Sequence, residues 1–318
     1  MKVIQTKIRT VEHFTSLDLN FITIGEVTTF DIFIKKDNNY LIIIEAGTLI
    51  SESLYDKLKK QLRLYMKKID KNKTKLTCES LKFYMLHNKD NLEKRISLLY
   101  KLNDGLFTNY LEHPYNKIDL ICVDLIVKSI VFLIKYDDKF LKNTIPYFIN
   151  EHCMKNHSLH VAIYAMSLGN GLGLNNKKLL QLGTAGLLHD IGLKKINESL
   201  LNKSTTFDIS ELEEVKKHVT NSVDIIKQNN LHDPDIIDAV LHHHEQYDGN
   251  GYPNKLSEVE ISVFASILAI CDVFDALTSS RPHRKQYTSF EAIKMMLKDE
   301  SMVNKFNQSY LQKLLKLL

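Results

Sequence analysis

The sequence predicts a mainly α-helical protein, in which a small N-terminal α/β or β-rich module precedes a C-terminal all-α bundle. Two observations support this fold class. Near the N-terminus, β-branched and aromatic residues form short runs, whereas from about residue 80 apolar residues recur at intervals of three and four, as in an amphipathic helix. Composition also changes, because ten of the thirteen histidines lie beyond residue 150.

The N-terminal elements follow from local composition. The stretch FDIFIKKDNNYLIIIEAG places two β-branched and aromatic runs around KKDNN, which is typical of a β-hairpin. A helix is expected at SESLYDKLKKQ and a short strand at LRLYMKKI. A chain of 318 residues is long for a single core, so we expect a regulatory module at 1–75, a helical linker that begins the bundle at 76–149, and the domain that carries the chemistry at 150–318.

The helices of the C-terminal domain have recognisable starts. Three amphipathic segments are preceded by the spacing of a capping box: Ser210 with Glu213, Ser257 with Glu260, and Thr288 with Glu291. Short turns such as GNGLGLNN and the loop YDGNGYPNK separate the predicted helices.

Composition excludes several classes of function. The net charge is only +4 and the lysines are spread along the chain, so we expect no nucleic-acid polymer as a partner. The most apolar stretch, IDLICVDLIVKSIVFLI, carries Asp119, Asp124 and Lys128, which fits a helix in a soluble core better than a membrane span. The start has no continuous apolar segment, and the four cysteines form no CxxC pair. A cytoplasmic protein with reduced thiols is therefore expected.

Histidines and acids beyond residue 150 form the candidate chemical site. Imidazole and carboxylate together suit iron, manganese or zinc, whereas calcium and magnesium prefer oxygen ligands alone. Seven candidates are too many for one ion and suit two ions that share a carboxylate, an arrangement that recurs in phosphoester hydrolysis. Helices suit this task, since side chains from several can converge in one bundle core. The candidates are His157, His189, Asp190, His218, His243, His244 and Asp272.

The ordered set HS…HD.G…H…HHE..DG.GYP…D.FDALTS.RP.R resembles the HD-GYP family of the HD superfamily, which are bacterial cyclic di-GMP phosphodiesterases. The resemblance covers about residues 150–310. It implies two divalent transition-metal ions, iron or manganese, and hydrolysis of cyclic di-GMP to pGpG, GMP or both by a hydroxide that the metals activate. It assigns the first metal to His157, His189, Asp190 and Asp272, and the second to His218, His243 and His244 with Asp190 bridging.

The resemblance also implies roles for other residues. Asp190 and His189 would be catalytic together with Lys203, and the substrate contacts would come from Gly251, Tyr252, Asp275, Arg281 and Arg284. Tyr252 could stack on a guanine base or merely pack the loop, and the two arginines could hold phosphate or form surface salt bridges. His160 and His242 are expected to be structural and peripheral, respectively.

The chain departs from the family pattern at four positions. Leu193 replaces a lysine that the family places near the scissile phosphate; such a contact is typically worth about 2.7–4 kcal/mol. Lys194 or Lys195 could substitute if the turn is irregular, and Lys203 could partly compensate. The other departures are Cys153 in place of a glutamate that recruits a third metal in some members, Ser266 in place of arginine, and His283 in place of tyrosine.

Three functions remain open at this point. The first is a phosphodiesterase for cyclic di-GMP. The second is a catalytically weak protein that binds metal and either cyclic di-GMP or a protein partner, as a sensor or scaffold. The third is a phosphohydrolase for another nucleotide, against which the GYP loop argues. The resemblance further implies a diguanylate cyclase-type or other signalling partner at the GYP loop, and the helical stretch at 76–149 could support a homodimer.

Overall fold

The computed structural model divides into two compact units, Met1–His87 and Asn88–Leu318. It describes residues 13–22, 24, 28, 30–37, 39–46, 48–68, 91–112, 117–148, 154–201, 203, 205–279 and 286–318. The predicted fold class, mainly α with a small N-terminal module, is confirmed.

The N-terminal unit contains a four-stranded sheet in the order β1-β4-β2-β3, whose described pairings are antiparallel. Its elements are β1 (Phe14–Leu17), β2 (Ile32–Lys36), β3 (Asn39–Ile44), α1 (Glu52–Lys59) and β4 (Leu64–Lys67). The predicted hairpin, helix and last strand are therefore confirmed. Asp37 has φ 54° in the hairpin turn, a conformation that Asp adopts more readily than most residues. Ile32, Leu58 and Met66 belong to the core of this unit.

In the described part of the second unit, helices joined by turns and loops form all of the regular secondary structure, apart from one isolated β-bridge. Its helices are α2 (Leu92–Glu112), α3 (Leu120–Tyr136), α4 (Phe140–Phe148), α5 (Met154–Gly171), α6 (Asn176–Leu188), α7 (Glu198–Leu201), α8 (Ile209–Lys216), α9 (His218–Gln228), α10 (Pro234–His242), α11 (Val263–Thr278), α12 (Ser289–Lys298) and α13 (Gln308–Leu317). Short 3₁₀ turns cover Ile191–Lys195 and Glu258–Glu260.

Helix α5 lies at the centre of the second unit. Every residue from Asn156 to Gly169 is buried except His157, which is partly exposed. A Cβ on Gly186 of α6 would lie only 2.8 Å from the Cα of Ala162, so α5 and α6 pack backbone against backbone. This close packing brings the C-terminal end of α6 beside His157, whose ring centre lies 5.3 Å from that of His189.

Capping explains most helix starts, with one prediction wrong. The box at Thr288 and Glu291 begins α12 as predicted. The box at Ser257 and Glu260 exists but begins a 3₁₀ turn, whereas Ser262 caps α11. The predicted box at Ser210 and Glu213 is wrong: Asp208 and Glu211 cap α8 reciprocally, which places Ser210 inside the helix.

No helix among the described residues is both long enough and apolar enough to cross a membrane. The apolar stretch that we expected to be a buried helix forms α3, and the side chain of Asp119 caps it by accepting hydrogen bonds from two backbone N–H groups.

Candidate metal centre

The seven predicted metal ligands converge in the helical unit, where they form two adjacent groups. The ligand atoms within each group lie within 4.8 Å of one another. We call them the His157 group (His157, His189 and Asp272) and the His244 group (Asp190, His218, His243 and His244). Helices α5, α6, α9, α10 and α11 supply these side chains, either from within the helix or from the residues directly after its end.

The carboxylate of Asp190 lies between the two groups. Its Oδ1 is 3.3 Å from His218 Nε2 and 3.7 Å from His243 Nε2. Its Oδ2 is 3.4 Å from His189 Nε2 and 3.8 Å from His157 Nε2. Each oxygen therefore faces a different group, which is the arrangement of a bridging carboxylate.

Three of the histidines are oriented in the same way. The Nδ1 atoms of His189, His218 and His243 each lie 2.8 Å from the backbone carbonyl three residues earlier. A carbonyl only accepts, so Nδ1 carries the proton and Nε2 presents a lone pair. These three Nε2 atoms are buried and have no hydrogen-bond partner among the described residues. A buried polar atom without a partner destabilises the folded state by about 1–3 kcal/mol. A metal ion would be a suitable partner for these nitrogen lone pairs, which lie beside a carboxylate.

Electrostatics keep the acids ionised and part of the histidines neutral. Burial opposes the charge of Asp190 and of Asp272, but the electrostatic attraction of the histidines around them holds the pKa of both carboxyls below the usual range. Burial, reinforced by the charge of His243, lowers the pKa of His244 well below the ordinary value. Ionised carboxylate and neutral imidazole are the forms that bind transition metals.

Asp275 lies behind His157 and orients it. The Nδ1–H of His157 donates to Asp275 Oδ2 at 2.8 Å, and Asp275 also accepts from His160 at 3.0 Å and from the Ser279 hydroxyl at 3.2 Å. Its side chain is 1% exposed. We predicted a substrate contact for Asp275, but its buried and fully engaged carboxylate suits the positioning of a metal ligand instead.

Comparison with known proteins agrees with this geometry. The model of the HD domain family matches residues 124–304, which is more than half of the chain.

The chain belongs to the HD domain family.

Its relatives confirm the predicted HD-GYP resemblance. The chain is 37% identical over 140 residues to the cyclic di-GMP phosphodiesterase PA4108 of Pseudomonas aeruginosa, which covers 44% of this chain and 34% of that protein. It is 34% identical over 133 residues to 3′3′-cGAMP-specific phosphodiesterase 2 of Vibrio cholerae, which covers 42% of this chain and 26% of that protein. These matches therefore span about a third or less of the relatives' own length.

The fold is shared with a solved structure. The structure of Bd1817, described as a HDG"Y"P protein from Bdellovibrio bacteriovorus, matches with a TM-score of 0.61 at 19% identity and covers 96% of this chain and 99% of that chain.

Contacts with α9 fix the HD turn, the segment that follows the HD doublet. The Ser222 hydroxyl donates to the carbonyl of His189 at 2.7 Å and accepts from the N–H of Gly192 at 2.8 Å. A Cβ on Gly192 would lie 2.2 Å from the carbonyl oxygen of His218. Sequence analysis overlooked Ser222, although its position four residues after His218 on the same helix face could have identified it.

The HD turn is a 3₁₀ turn, and its lysines are exposed or used structurally. Lys194 Nζ donates to the carbonyls of Tyr110 and Leu111 at 3.0 Å each, and it lies 4.7 Å from the centre of the Tyr110 ring. Lys194 therefore caps the C-terminal end of α2, as cations favourably do, and Lys195 is exposed. The amino group of Lys203, predicted as catalytic, forms a salt bridge with Glu211.

The conformation of the GYP loop is fixed by hydrogen bonds from its backbone N–H groups to the side chain of Glu245. Glu245 is 2% exposed, and its carboxylate accepts from the N–H groups of Asn254 and Leu256 at 2.6 and 3.0 Å. A Cβ on Gly251 would lie 2.3 Å from the nitrogen of Gln246, so this glycine permits close backbone packing. That placement gives Gly251 a structural role, and its substrate contact stays a prediction. Glu245 was overlooked, although it directly follows two metal ligands.

Tyr252 supports a metal ligand. Its ring stacks on His244, with ring centres 4.8 Å apart and an angle of 25° between planes. Lys216 Nζ lies 5.4 Å from the centre of the Tyr252 ring, a cation that sequence analysis overlooked. Base stacking on Tyr252 stays a prediction. Arg281, Arg284, His283 and Cys153 lie outside the described residues.

Replacing Gly192 by alanine should loosen the HD turn. Because the added methyl group would meet backbone atoms of His218 and Ser222, we expect a loss of about 1–3 kcal/mol in the free energy of unfolding, together with a lower metal content. Urea unfolding and metal analysis measure both. The matched control is Gly105→Ala, where a Cβ meets nothing within 4 Å inside α2 and alanine should stabilise by about 0.5–1 kcal/mol. Equal stability of the Gly192 variant and the parent would contradict the steric argument.

Acidification should weaken metal binding at the His157 group first. Burial lowers the pKa of His157 and His189, but the neighbouring aspartates outweigh burial and raise both above the ordinary value. Burial lowers the pKa of His243 and His244. A histidine with a raised pKa takes up a proton at a higher pH, and the proton then competes with the metal for the same nitrogen. As the pH falls, the His157 group should therefore lose its metal affinity at a higher pH than the His244 group.

This order can be measured with Mn(II) titrations from about pH 8 to about pH 5. The His244→Ala variant leaves the His157 group complete, and the His157→Ala variant leaves the His244 group complete. Equal pH dependence in the two variants, or the reverse order, would refute the assignment.

Proposed function

We propose that this protein is a metal-dependent phosphodiesterase that hydrolyses cyclic di-GMP to pGpG, GMP or both. The observation that carries the proposal is the pair of buried ligand groups joined by the Asp190 carboxylate. The relatives, which include cyclic di-GMP phosphodiesterases, support the substrate class.

The metals proposed are two divalent ions, iron or manganese, one at each ligand group. When bound, such ions activate water near neutral pH and offset negative charge on phosphoryl oxygens. Imidazole nitrogen and carboxylate oxygen, the only donors in the two groups, are acceptable ligands for both metals.

The chain's own residues hold this arrangement rigid. Asp190 presents one oxygen to each group, and the backbone carbonyls behind His189, His218 and His243 fix the tautomer that leaves Nε2 as the ligand. The ring of Tyr252 stacks on His244 and restricts its orientation. Arg281 and Arg284 stay the predicted phosphate contacts, as guanidinium groups bind phosphate bidentately.

A second candidate is a protein that binds metal and cyclic di-GMP, or a protein partner, with little turnover. Leu193 favours it, because this apolar side chain replaces the family's lysine. Lys194 and Lys203 are engaged by α2 and by Glu211, respectively, so neither offers an unpaired cation in its place. A signalling partner at the GYP loop, a homodimer, a regulatory role for residues 1–75 and a cytoplasmic location also stay predictions.

A third candidate is the hydrolysis of 3′3′-cGAMP. Two 3′3′-cGAMP-specific phosphodiesterases of Vibrio cholerae favour it, because they are 34% and 35% identical to this chain and the cyclic di-GMP phosphodiesterase PA4108 is 37% identical. Both nucleotides contain a ring closed by two phosphodiester bonds, and the metal site would act on one of these bonds. The two substrates therefore have to be distinguished by direct comparison.

The test is turnover of both cyclic dinucleotides by protein purified anaerobically and loaded with Fe(II) or Mn(II), beside an Asp190→Ala control. We expect pGpG or GMP from cyclic di-GMP, and no product from the control because both ligand groups lose their shared carboxylate. Faster hydrolysis of 3′3′-cGAMP would favour the third candidate. If protein with metal at both groups gives no product, the phosphodiesterase proposals are refuted and the second candidate, the binding protein, remains.

Restoring the lysine should increase turnover. Leu193→Lys places a cation three residues after Asp190, and a preorganised contact of that kind is typically worth about 10²–10³ in rate. We expect kcat to rise while the affinity for cyclic di-GMP, measured calorimetrically with the catalytically inert Asp190→Ala background, stays unchanged. Leu193→Met is the control for size without charge. An unchanged kcat in the lysine variant would show that the chain meets this requirement elsewhere.

A further inference from the structure

A line of hydrogen bonds leads from the metal ligand His157 away from the site. Asp275 accepts from His157 Nδ1 at 2.8 Å through one carboxylate oxygen and from His160 Nδ1 at 3.0 Å through the other. The Nε2 of His160 lies 2.6 Å from the hydroxyl of Tyr100. His160 and Asp275 are each 1% exposed, so the line is shielded from water.

One arrangement of protons satisfies the whole line. His157 directs Nε2 to the metal groups, so its Nδ1–H donates to Asp275. His160 donates its Nδ1–H to the same carboxylate, which leaves its Nε2 as the acceptor for the Tyr100 hydroxyl. The Tyr147 carbonyl also accepts from that hydroxyl, but at 3.4 Å this contact is much longer and weaker than the 2.6 Å contact with His160.

Packing fixes the ring of His160. It stacks on Phe148 with ring centres 4.2 Å apart and an angle of 21° between planes, and it meets the Tyr100 ring edge to face at 5.7 Å. Tyr100 lies on α2, outside the segment that the HD domain model matches. The line therefore joins the metal centre to a helix that the family model does not include.

We propose that His160 and Tyr100 are positioning residues of the metal centre, which set the orientation and basicity of the ligand His157 through Asp275. With one oxygen occupied by His160, the carboxylate presents only the other to His157. Partners of this kind behind a metal ligand typically change metal affinity about 10–100-fold when they are removed. The proposal rests on the proposed function only in requiring metal at the His157 group.

The test is Mn(II) affinity of the full chain without nucleotide, measured by titration and by the electron paramagnetic resonance spectrum of the bound ion. In the His244→Ala background, where the His157 group is complete, we expect His160→Leu to lower affinity about 10–100-fold. His160→Asn keeps an N–H donor near the position of Nδ1, so we expect it to restore most of that affinity. Tyr100→Phe should give a smaller loss and an altered spectrum.

Two controls separate positioning from general damage. Tyr136→Phe removes a tyrosine hydroxyl from a side chain that is 49% exposed, and affinity should not change. In the His157→Ala background Tyr100→Phe should have no effect, because the ligand on which it acts is gone.

Equal losses at both ligand groups, or wild-type affinity and spectrum in Tyr100→Phe and His160→Leu, would overturn the proposal. If His160→Leu does not fold, the loss of Mn(II) affinity caused by Tyr100→Phe, compared between the His244→Ala and His157→Ala backgrounds, decides whether the proposal holds. Absence of nucleotide turnover leaves this result untouched, since metal binding is the readout.

Discussion

The carboxylate of Asp190 faces the imidazoles of four histidines, and the helical unit is built to hold that arrangement. The lone pairs of His189, His218 and His243 point towards the same buried region without a hydrogen-bond partner among the described residues. Folding must therefore place several acceptors together in a medium of low dielectric, which is unfavourable until a cation joins them. Because metal would bind the folded state only, its binding would stabilise the fold in proportion to its affinity and concentration.

The short HD turn needs support because 3₁₀ geometry gives weaker hydrogen bonds than an α-helix. That support comes from two sides. Ser222 and the close packing at Gly192 join the turn to α9, which also carries His218. On the other side, Tyr110 donates its hydroxyl to the Ile191 carbonyl at 3.3 Å, and Lys194 caps α2. The position of the shared carboxylate thus depends on contacts from helices that contribute ligands and from one that contributes none.

The candidate ligands could be predicted from the sequence, whereas the supports that come from distant parts of the chain could not. Adjacent or closely spaced histidines and acids at helical segments are local signals, and all seven predicted ligands lie in the two groups. The hydrogen bond of Asp275 with His157 and that of Tyr100 with His160 each join residues more than 50 positions apart, which no local pattern encodes. The capping box failed for a different reason. Asp208 and Ser210 are both followed by a glutamate three residues later, so both match the spacing of a capping box. In the structure the box forms at Asp208 and Glu211, and Glu211 also forms a salt bridge with Lys203.

Under the proposed function, metal binding and phosphate recognition would be carried by different parts of this chain. The metal groups depend on buried histidines whose tautomers are fixed by backbone carbonyls, so they do not depend on any surface cation. Phosphate recognition depends on cations, and those near the HD turn have structural partners: Lys194 binds α2 and Lys203 binds Glu211. Under the proposed function, leucine in place of lysine at Leu193 would weaken stabilisation of the transition state without weakening metal affinity. A chain of this design would keep its metal centre intact whether it hydrolysed a cyclic dinucleotide quickly or only bound it.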